Sequence, residues 1–483
     1  MNSRRKFLKN SGMMAAGLGL SPFLSEELTA ITNDLSLVQA SQIDRWGPDD
    51  GPNQPFGIEK GVNPGRVVWV WDPNATNEKS ETYYWENTDN ELVCKMFHES
   101  VLKLTSKNTS KEAWDAIFKN FNKEKTGFER GYTKGEKIFV KINQTTARGT
   151  LRPDDIANGY ALPDSRRQRM PYGACEQSIA TGLALLRELV NEAGVAQEDI
   201  LIADPQNPTY KHNADAWWAE FPNVKIGSKM SADFGRTLLI ESEKELFFTS
   251  NKLVREKLFT FTENADYMIN IAQFKPHKSG GITLTAKNHF GSHTKDASSH
   301  FHNYLPIIGG RYNVNNGYRK YRILTDMMGS RYLGRNTLIY IIDGLFGGGS
   351  SETREPVKYF MPPFNNNWCN SLFVSLDQVA LESVCYDFLR TEWNGVYEHD
   401  PRNNSTEYDP NVNGVDDYLH QAADSKYWAE GIVYDPDNSG TPIPSLGVHE
   451  HWNNPVYKQY SRNLGKNYGI ELVSIPENLV GGS

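Results

Sequence analysis

YMINIAQFKPHKSGGITLTAKNHFGSHTKDASSHFH, residues 267–302, carries the chain from an apolar run straight into a dense group of titratable side chains. Tyr267–Ala272 is nearly continuous rather than alternating. That is the pattern of a strand covered on both faces, as in a parallel sheet flanked by helices. Five of the eleven histidines then fall between Lys275 and His302. A core segment cannot absorb so many polar groups without partners, so this stretch is expected to line a site at a strand end.

Other segments repeat the pattern. Arg66–Trp71 ends at Asp72-Pro73, Lys137–Ile142 at Asn143, and Ile200–Ala203 at Asp204-Pro205. Leu338–Ile342 ends at Asp343, and Leu372–Leu376 runs into Asp377, a good N-cap for the helix striped by Leu381, Val384, Cys385 and Phe388. Helical stripes lie between the strands. They comprise Leu92, Val93, Met96, Phe97, Val101 and Leu104, then Ile179, Leu183, Leu186 and Val190, the latter stopped by Gly194. Strands alternating with helices predict an α/β fold with a mostly parallel sheet flanked by helices and a loop-rich C-terminal extension. The expected boundaries are a signal over 1–30, an arm over 31–62, the α/β domain over 63–395, and an extension over 396–483 packed on the same domain. Ligands in such folds bind beyond the carboxyl ends of the strands, which here carry Asn143, Asp204, Lys275, His277 and Asp343.

The bulk properties narrow the partners. The chain has 483 residues, a formal charge of −8 and 38% hydrophobic residues, with a mean hydropathy of −0.59, as expected of a soluble globular protein. No Lys/Arg run follows the N-terminus, so nucleic acid is not an expected partner. Arg4-Arg5 followed by Phe7-Leu8-Lys9 reads as a twin-arginine (Tat) signal, and Met13–Leu24 is too short to anchor in a bilayer. The expectation is folded export by the Tat translocase to the periplasm or beyond, with no stable membrane span in the mature chain. Cys94, Cys175, Cys369 and Cys385 show no C-x-x-C spacing, so no iron–sulfur cluster is expected. Buried thiols are the default, with one disulfide left open.

Four constellations could carry chemistry. Lys275 and His277, two apart on an extended strand exit, face the same way. A helix over 282–290 would put Thr283 and Lys287 on one face, with an anion favoured at its N-terminus. His277 would then act as acid/base and Lys287 and Lys275 as anion holders. Asn143, Asp204, Thr283, Asn288 and Asp343 would bind ligand. A solvated basic loop is the competing reading. Next come His289 and His293, four apart, and His300 and His302, two apart as on one face of a strand. His293, His300 and His302 are the expected transition-metal ligands, with Asp296 able to complete the shell, against satisfied polar histidines. Finally, Asp409/Asn411/Asn413 and Asp435/Asp437/Ser439 have calcium-loop spacing, although ordinary Asx turns account for the same letters. His449 and His451, flanking Glu450, either reach the main site or cap an aromatic cluster.

These residues resemble a family. Pro64–Pro73, Gly135–Ile138 with Lys141–Asn143, Lys275-Pro-His277 followed by Gly281-Ile-Thr283-Leu-Thr-Ala-Lys287-Asn288, Ser375–Asp377 and Ser445–Asn453 resemble the Tat-exported branch of domain-of-unknown-function family 362. The resemblance covers most of the mature chain and implies no settled activity. A local stretch is also similar to nickel-pincer lactate racemases, in which a catalytic His precedes by ten residues the Lys that holds the nickel cofactor. His277 and Lys287 match that spacing, and His300 or His302 would supply the downstream metal ligand. The Ser-Gly-Gly-x-Lys core of that pattern is absent, Ser279-Gly280-Gly281 falling six residues too early.

The leading expectation is an exported α/β enzyme acting on a small anionic or polyhydroxylated ligand. Its chemistry would be isomerase/racemase-like or hydrolase-like and metal- or cofactor-dependent. The alternative is a non-catalytic periplasmic or surface ligand-binding protein.

Overall fold

In the computed structural model the described residues are 51–77, 87–144, 175–230, 232–295, 298–308, 311–312, 314–315, 317–349, 356–397, 399 and 414–481. All belong to one unit, Pro48–Ser483. The expected signal peptide, Asp296 and the Asp409/Asn411/Asn413 loop lie outside the described residues.

The apolar runs become the sheet. In chain order these strands are β1 (Arg66–Trp71), β2 (Ile138–Lys141), β3 (Ile200–Ala203), β4 (Lys225–Ser228), β5 (Thr237–Leu238) and β6 (Tyr267–Gln273). β7 (Thr337–Gly344), β8 (Ser371–Ser375) and β9 (Glu471–Ile475) follow. They form one nine-stranded sheet in the order β9-β1-β8-β7-β6-β2-β3-β4-β5. Every pairing is parallel except the two that β8 makes with β1 and β7. The fold class is the expected one: a mostly parallel sheet with flanking helices.

Alternation along each strand sends side chains to two cores. Val68, Val70, Val140, Ile202, Ile269 and Ile341 face one layer. It holds α1 (Asn90–Thr105), α2 (Ser110–Thr126) and α3 (Ile179–Arg187). Val67, Trp69, Ala272, Ile342 and Phe373 face the other. That layer holds α4 (Ile323–Gly329), α5 (Gln378–Glu392) and α6 (Val415–Ala423). Both faces are covered, which is why the strands read as unbroken apolar runs. Asp377 caps α5 as expected, its Oδ1 accepting from Ala380 N at 2.9 Å. Its Oδ2 also accepts from Lys60 N at 2.9 Å and Val448 N at 3.2 Å, tying the N-terminal arm and the tail to the same helix start.

Two local expectations are corrected. Gly281–Thr283 is a strand paired antiparallel with Lys275–His277, not the start of a helix. The helix that follows covers only Thr285–Asn288, so Thr283 and Lys287 do not share a helical face. A positive φ of 83° at Gly281 lets the chain turn back after three residues. The C-terminal region is loop-rich, yet it also supplies α6 and edge strand β9. The four cysteines are free thiols, so the disulfide left open does not form.

Candidate functional site

β2, β3 and β6 are neighbours and end together. Lys141, the last residue of β2, is fully buried. Its ammonium lies 3.3 Å from Asp204 Oδ2, just beyond β3, and donates to Asn288 Oδ1 at 3.0 Å. Burial lowers the Lys141 pKa, and the Asp204 carboxylate opposes the shift. Asp204 is held in turn by the N–H groups of Gln144 at 2.9 Å and Gln206 at 3.0 Å.

Asn288 is the hub. Its Oδ1 also accepts from Asn143 Nδ2 at 3.1 Å. Its Nδ2 donates to Asn270 Oδ1 at 2.8 Å and Ile271 O at 3.0 Å. One amide therefore uses both ends to lock β2 to β6. Asn270 Nδ2 bonds Thr285 O at 2.9 Å and His289 Nε2 at 3.0 Å. Gly291 completes the packing, since a Cβ there would sit 2.9 Å from Asp204 Oδ1 and 3.2 Å from Lys141 Nζ. The short helix Thr285–Asn288 is held from outside by Glu382 of α5. Glu382 Oε1 accepts from Thr285 Oγ1 and Ala286 N, each at 2.6 Å.

Next to this framework lies a second group. Lys275 is fully buried, its ammonium donating to Cys175 O at 3.1 Å and Asn143 Oδ1 at 3.4 Å. Burial depresses its pKa. His277 Nδ1 accepts from the N–H of Ser279 at 3.0 Å and of Gly280 at 3.1 Å. Two donors on one nitrogen fix the tautomer, so the neutral ring carries its proton on Nε2. Burial, then Lys287, His302 and Lys275, push the His277 pKa well below the usual histidine range.

His302 stacks on His277 with ring centroids 5.6 Å apart. Its Nδ1 donates to Ser298 O at 2.9 Å, which leaves Nε2 to accept from Lys287 Nζ at 3.2 Å. Lys287 Nζ also lies 3.8 Å from the centre of the Phe290 ring. Burial, then the charge of Lys275, bring the Lys287 pKa down to about 7. At the same edge the Thr283 hydroxyl, both amide atoms of Gln144 and the Gln273 amide nitrogen are buried without a hydrogen-bond partner among the described residues. Such orphans mark where water or ligand atoms complete the network.

Residues 175–387 match the family model of the domain of unknown function DUF362. The resemblance to this domain is matched over these residues, which contain Lys275, His277, Lys287, Asn288 and His302. Among solved structures, the lactate racemase apoprotein from Thermoanaerobacterium thermosaccharolyticum aligns over 70% of this chain and 63% of its own, less than two thirds of that protein, at 10% identity and TM-score 0.36. No curated protein matches the chain.

The remaining expected residues of the DUF362 segment sort differently. Asp343 turns to structure: its Oδ2 accepts from Ser178 N at 3.2 Å and its Oδ1 from Leu345 N at 3.3 Å. His300 and His302 separate because Ser299–His302 is a helical turn, not a strand. Two residues along a helix is more than half a turn, so the rings leave in different directions. His302 goes to Lys287, whereas His300 joins His293 and Glu256. His289 and His293 separate as well, because the chain between them is a 3₁₀ turn ending at Gly291.

Beyond the segment, Asp435 and Asp437 do not share a loop interior. Asp435 accepts from Gly440 N at 2.7 Å and Ser439 N at 3.0 Å as an Asx-type turn. Asp437 faces Arg331 N at 2.9 Å and Arg335 NH1 at 3.5 Å. These directions correct the calcium expectation for that loop. His451 is an ion-pair residue, with Nδ1 2.8 Å from Asp387 and Nε2 3.2 Å from Asp416. It stays away from the main site. Lys141, Asn270, Glu256 and Glu382 were missed. For Lys141 and Asn270 the signal was present: a lysine and an asparagine inside unbroken apolar strands need buried partners.

Proposed function

We propose that the chain is an exported enzyme that binds a small carboxylate at the sheet's carboxyl edge and moves a proton on it. The observation that carries this reading is Lys287. It is a buried lysine with no carboxylate in ion-pair range among the described residues, placed against the acceptor nitrogen of His302 and beside His277.

A lysine brought to a pKa of about 7 is partly a neutral amine at neutral pH and can accept a proton. His277 presents Nε2–H from a ring kept neutral, so it is suited to polarise a substrate oxygen rather than to act as base. The base role expected of His277 therefore passes to Lys287. Lys275 holds the anion, because it brings a buried ammonium to the same strand ends, beside Asn143 and Cys175. Proton abstraction next to a carboxylate is isomerase- or racemase-like chemistry. The racemase resemblance implies a different use of Lys287, as the residue that would hold a cofactor; that nitrogen would then no longer be the free amine that takes up the proton.

Incubation with a panel of 2-hydroxy and 2-amino carboxylates in D2O tests the reading, with loss of the α-proton signal followed by NMR. Wild-type protein is expected to exchange at least one member, and Lys287→Arg to lose about 10²- to 10⁴-fold of that rate. Binding without exchange makes the protein a non-catalytic envelope binder instead, and neither binding nor exchange removes the proposal. Intact mass after native production tests the bonded cofactor, which requires a mass above that of the bare chain. Cell fractionation with the Tat route blocked tests export.

A further inference from the structure

Outside the Lys287 group, three side chains converge from separate backbone segments. Glu256 lies on the strand Arg255–Phe259 of a hairpin. His293 is bridged to Leu258 of that strand, and His300 sits on the turn Ser299–His302. One donor atom from each lies within 4.8 Å of the others. His300 Nε2 stands 2.7 Å from Glu256 Oε1 without hydrogen-bond geometry.

His293 is 1% exposed, and neither of its ring nitrogens has a hydrogen-bond partner among the described residues. Glu256 is also 1% exposed, and its Oε2 is likewise without such a partner. Phe301 backs both rings, its centroid 4.7 Å from that of His293 and 4.1 Å from that of His300. Lys295 stands at the rim, its ammonium 2.7 Å from Glu256 Oε1. His293 Nδ1 lies 4.0 Å from Glu256 Oε2, so a buried imidazole faces a buried carboxylate oxygen across a gap too long for a hydrogen bond, an arrangement that an ion would complete.

We propose that Glu256, His293 and His300 form a binding site for a divalent first-row transition metal of the zinc or iron(II) class. Two imidazoles and one carboxylate favour these ions over calcium and magnesium, which take oxygen donors, and three protein ligands leave a coordination position open. The expected set keeps His293 and His300, and Glu256 replaces His302. The ion would fasten the turn that carries His302 to the hairpin, and so bears on the group around Lys287 without being part of it.

The test uses full-length protein without a polyhistidine tag, stripped with a chelator and titrated with Zn2+, Co2+ and Ca2+. Readouts are bound metal per chain by mass spectrometry and the visible spectrum of the cobalt form. One Zn2+ or Co2+ per chain is expected, with no comparable Ca2+ binding. Affinity should fall at least about 10-fold in Glu256→Gln and His293→Ala, and remain unchanged in His302→Ala. Should His293→Ala fail to fold, His300→Ala, whose side chain is 28% exposed, takes its place. Retention of metal by the ligand variants, or equal loss in His302→Ala, overturns the proposal, as does absence of binding to the wild type.

Discussion

Asn288 shows how one side chain can set a site. Its amide satisfies Lys141, Asn143, Asn270 and the Ile271 carbonyl together, so truncation strands several buried groups. Asn288→Ala is expected to cost about 2–4 kcal/mol, read from denaturant unfolding. Gly291→Ala should also destabilise, because its methyl would press on Asp204 and Lys141. A loss below about 1 kcal/mol would mean that the backbone there can yield. Lys287 behaves in the opposite way. Its charge is poorly supported, so Lys287→Met is expected to stabilise the fold at pH 7 by about 1–3 kcal/mol while removing turnover. Wild-type turnover should rise as the pH passes about 7, where Lys287 becomes the amine.

At the scale of elements, α5 organises the site from the same face of the sheet. Glu382 grips the Thr285–Asn288 turn and also receives the Tyr418 hydroxyl from α6. Burial raises the Glu382 pKa, and these donors oppose the rise. Glu382→Ala should cost about 2–4 kcal/mol in unfolding experiments, and its effect on turnover should track displacement of Lys287. The strands that build this edge were legible because double coverage leaves a nearly continuous apolar run such as Tyr267–Ala272, interrupted only by Asn270. The direction of β8 was not, since SLFVS pairs equally well either way and only the preceding loop decides. The turn at Ser299–His302 was also hidden. Its four residues are too few for a helical period, yet that turn parts His300 from His302. Glu256 had no sequence signal, being one of many glutamates, and its meaning comes from the hairpin that buries it.

At the scale of the molecule, His451 joins the tail to α5 and α6. Burial alone would lower its pKa, but Asp387 and Asp416 outweigh that and hold it up at about 10. A pKa raised above the unfolded value contributes stability that is full below about pH 6.5 and is lost as the pH rises through about 10. Lys287, held down at about 7, acts with the opposite sign. The unfolded chain binds the extra proton, so stability is gained between about pH 7 and pH 10.4. The two nearly cancel across this window. Single variants should expose them: His451→Gln leaves stability rising with pH and Lys287→Met leaves it falling, each by up to about 1.4 kcal/mol per pH unit. Melting curves at pH 7, 8 and 9 check both slopes.

The order of the sheet also dictates a timetable. β1, the first strand of this sheet among the described residues, has β8 and β9 as its neighbours, so its partners emerge some 300 and 400 residues after it, as the numbering of those strands sets out. A ribosome therefore releases RVVWVW long before anything exists to pair with it. Pairing at this sheet edge is therefore late, and until β8 emerges the nascent chain carries an apolar strand without its sheet neighbours, a natural substrate for chaperones that shield such segments.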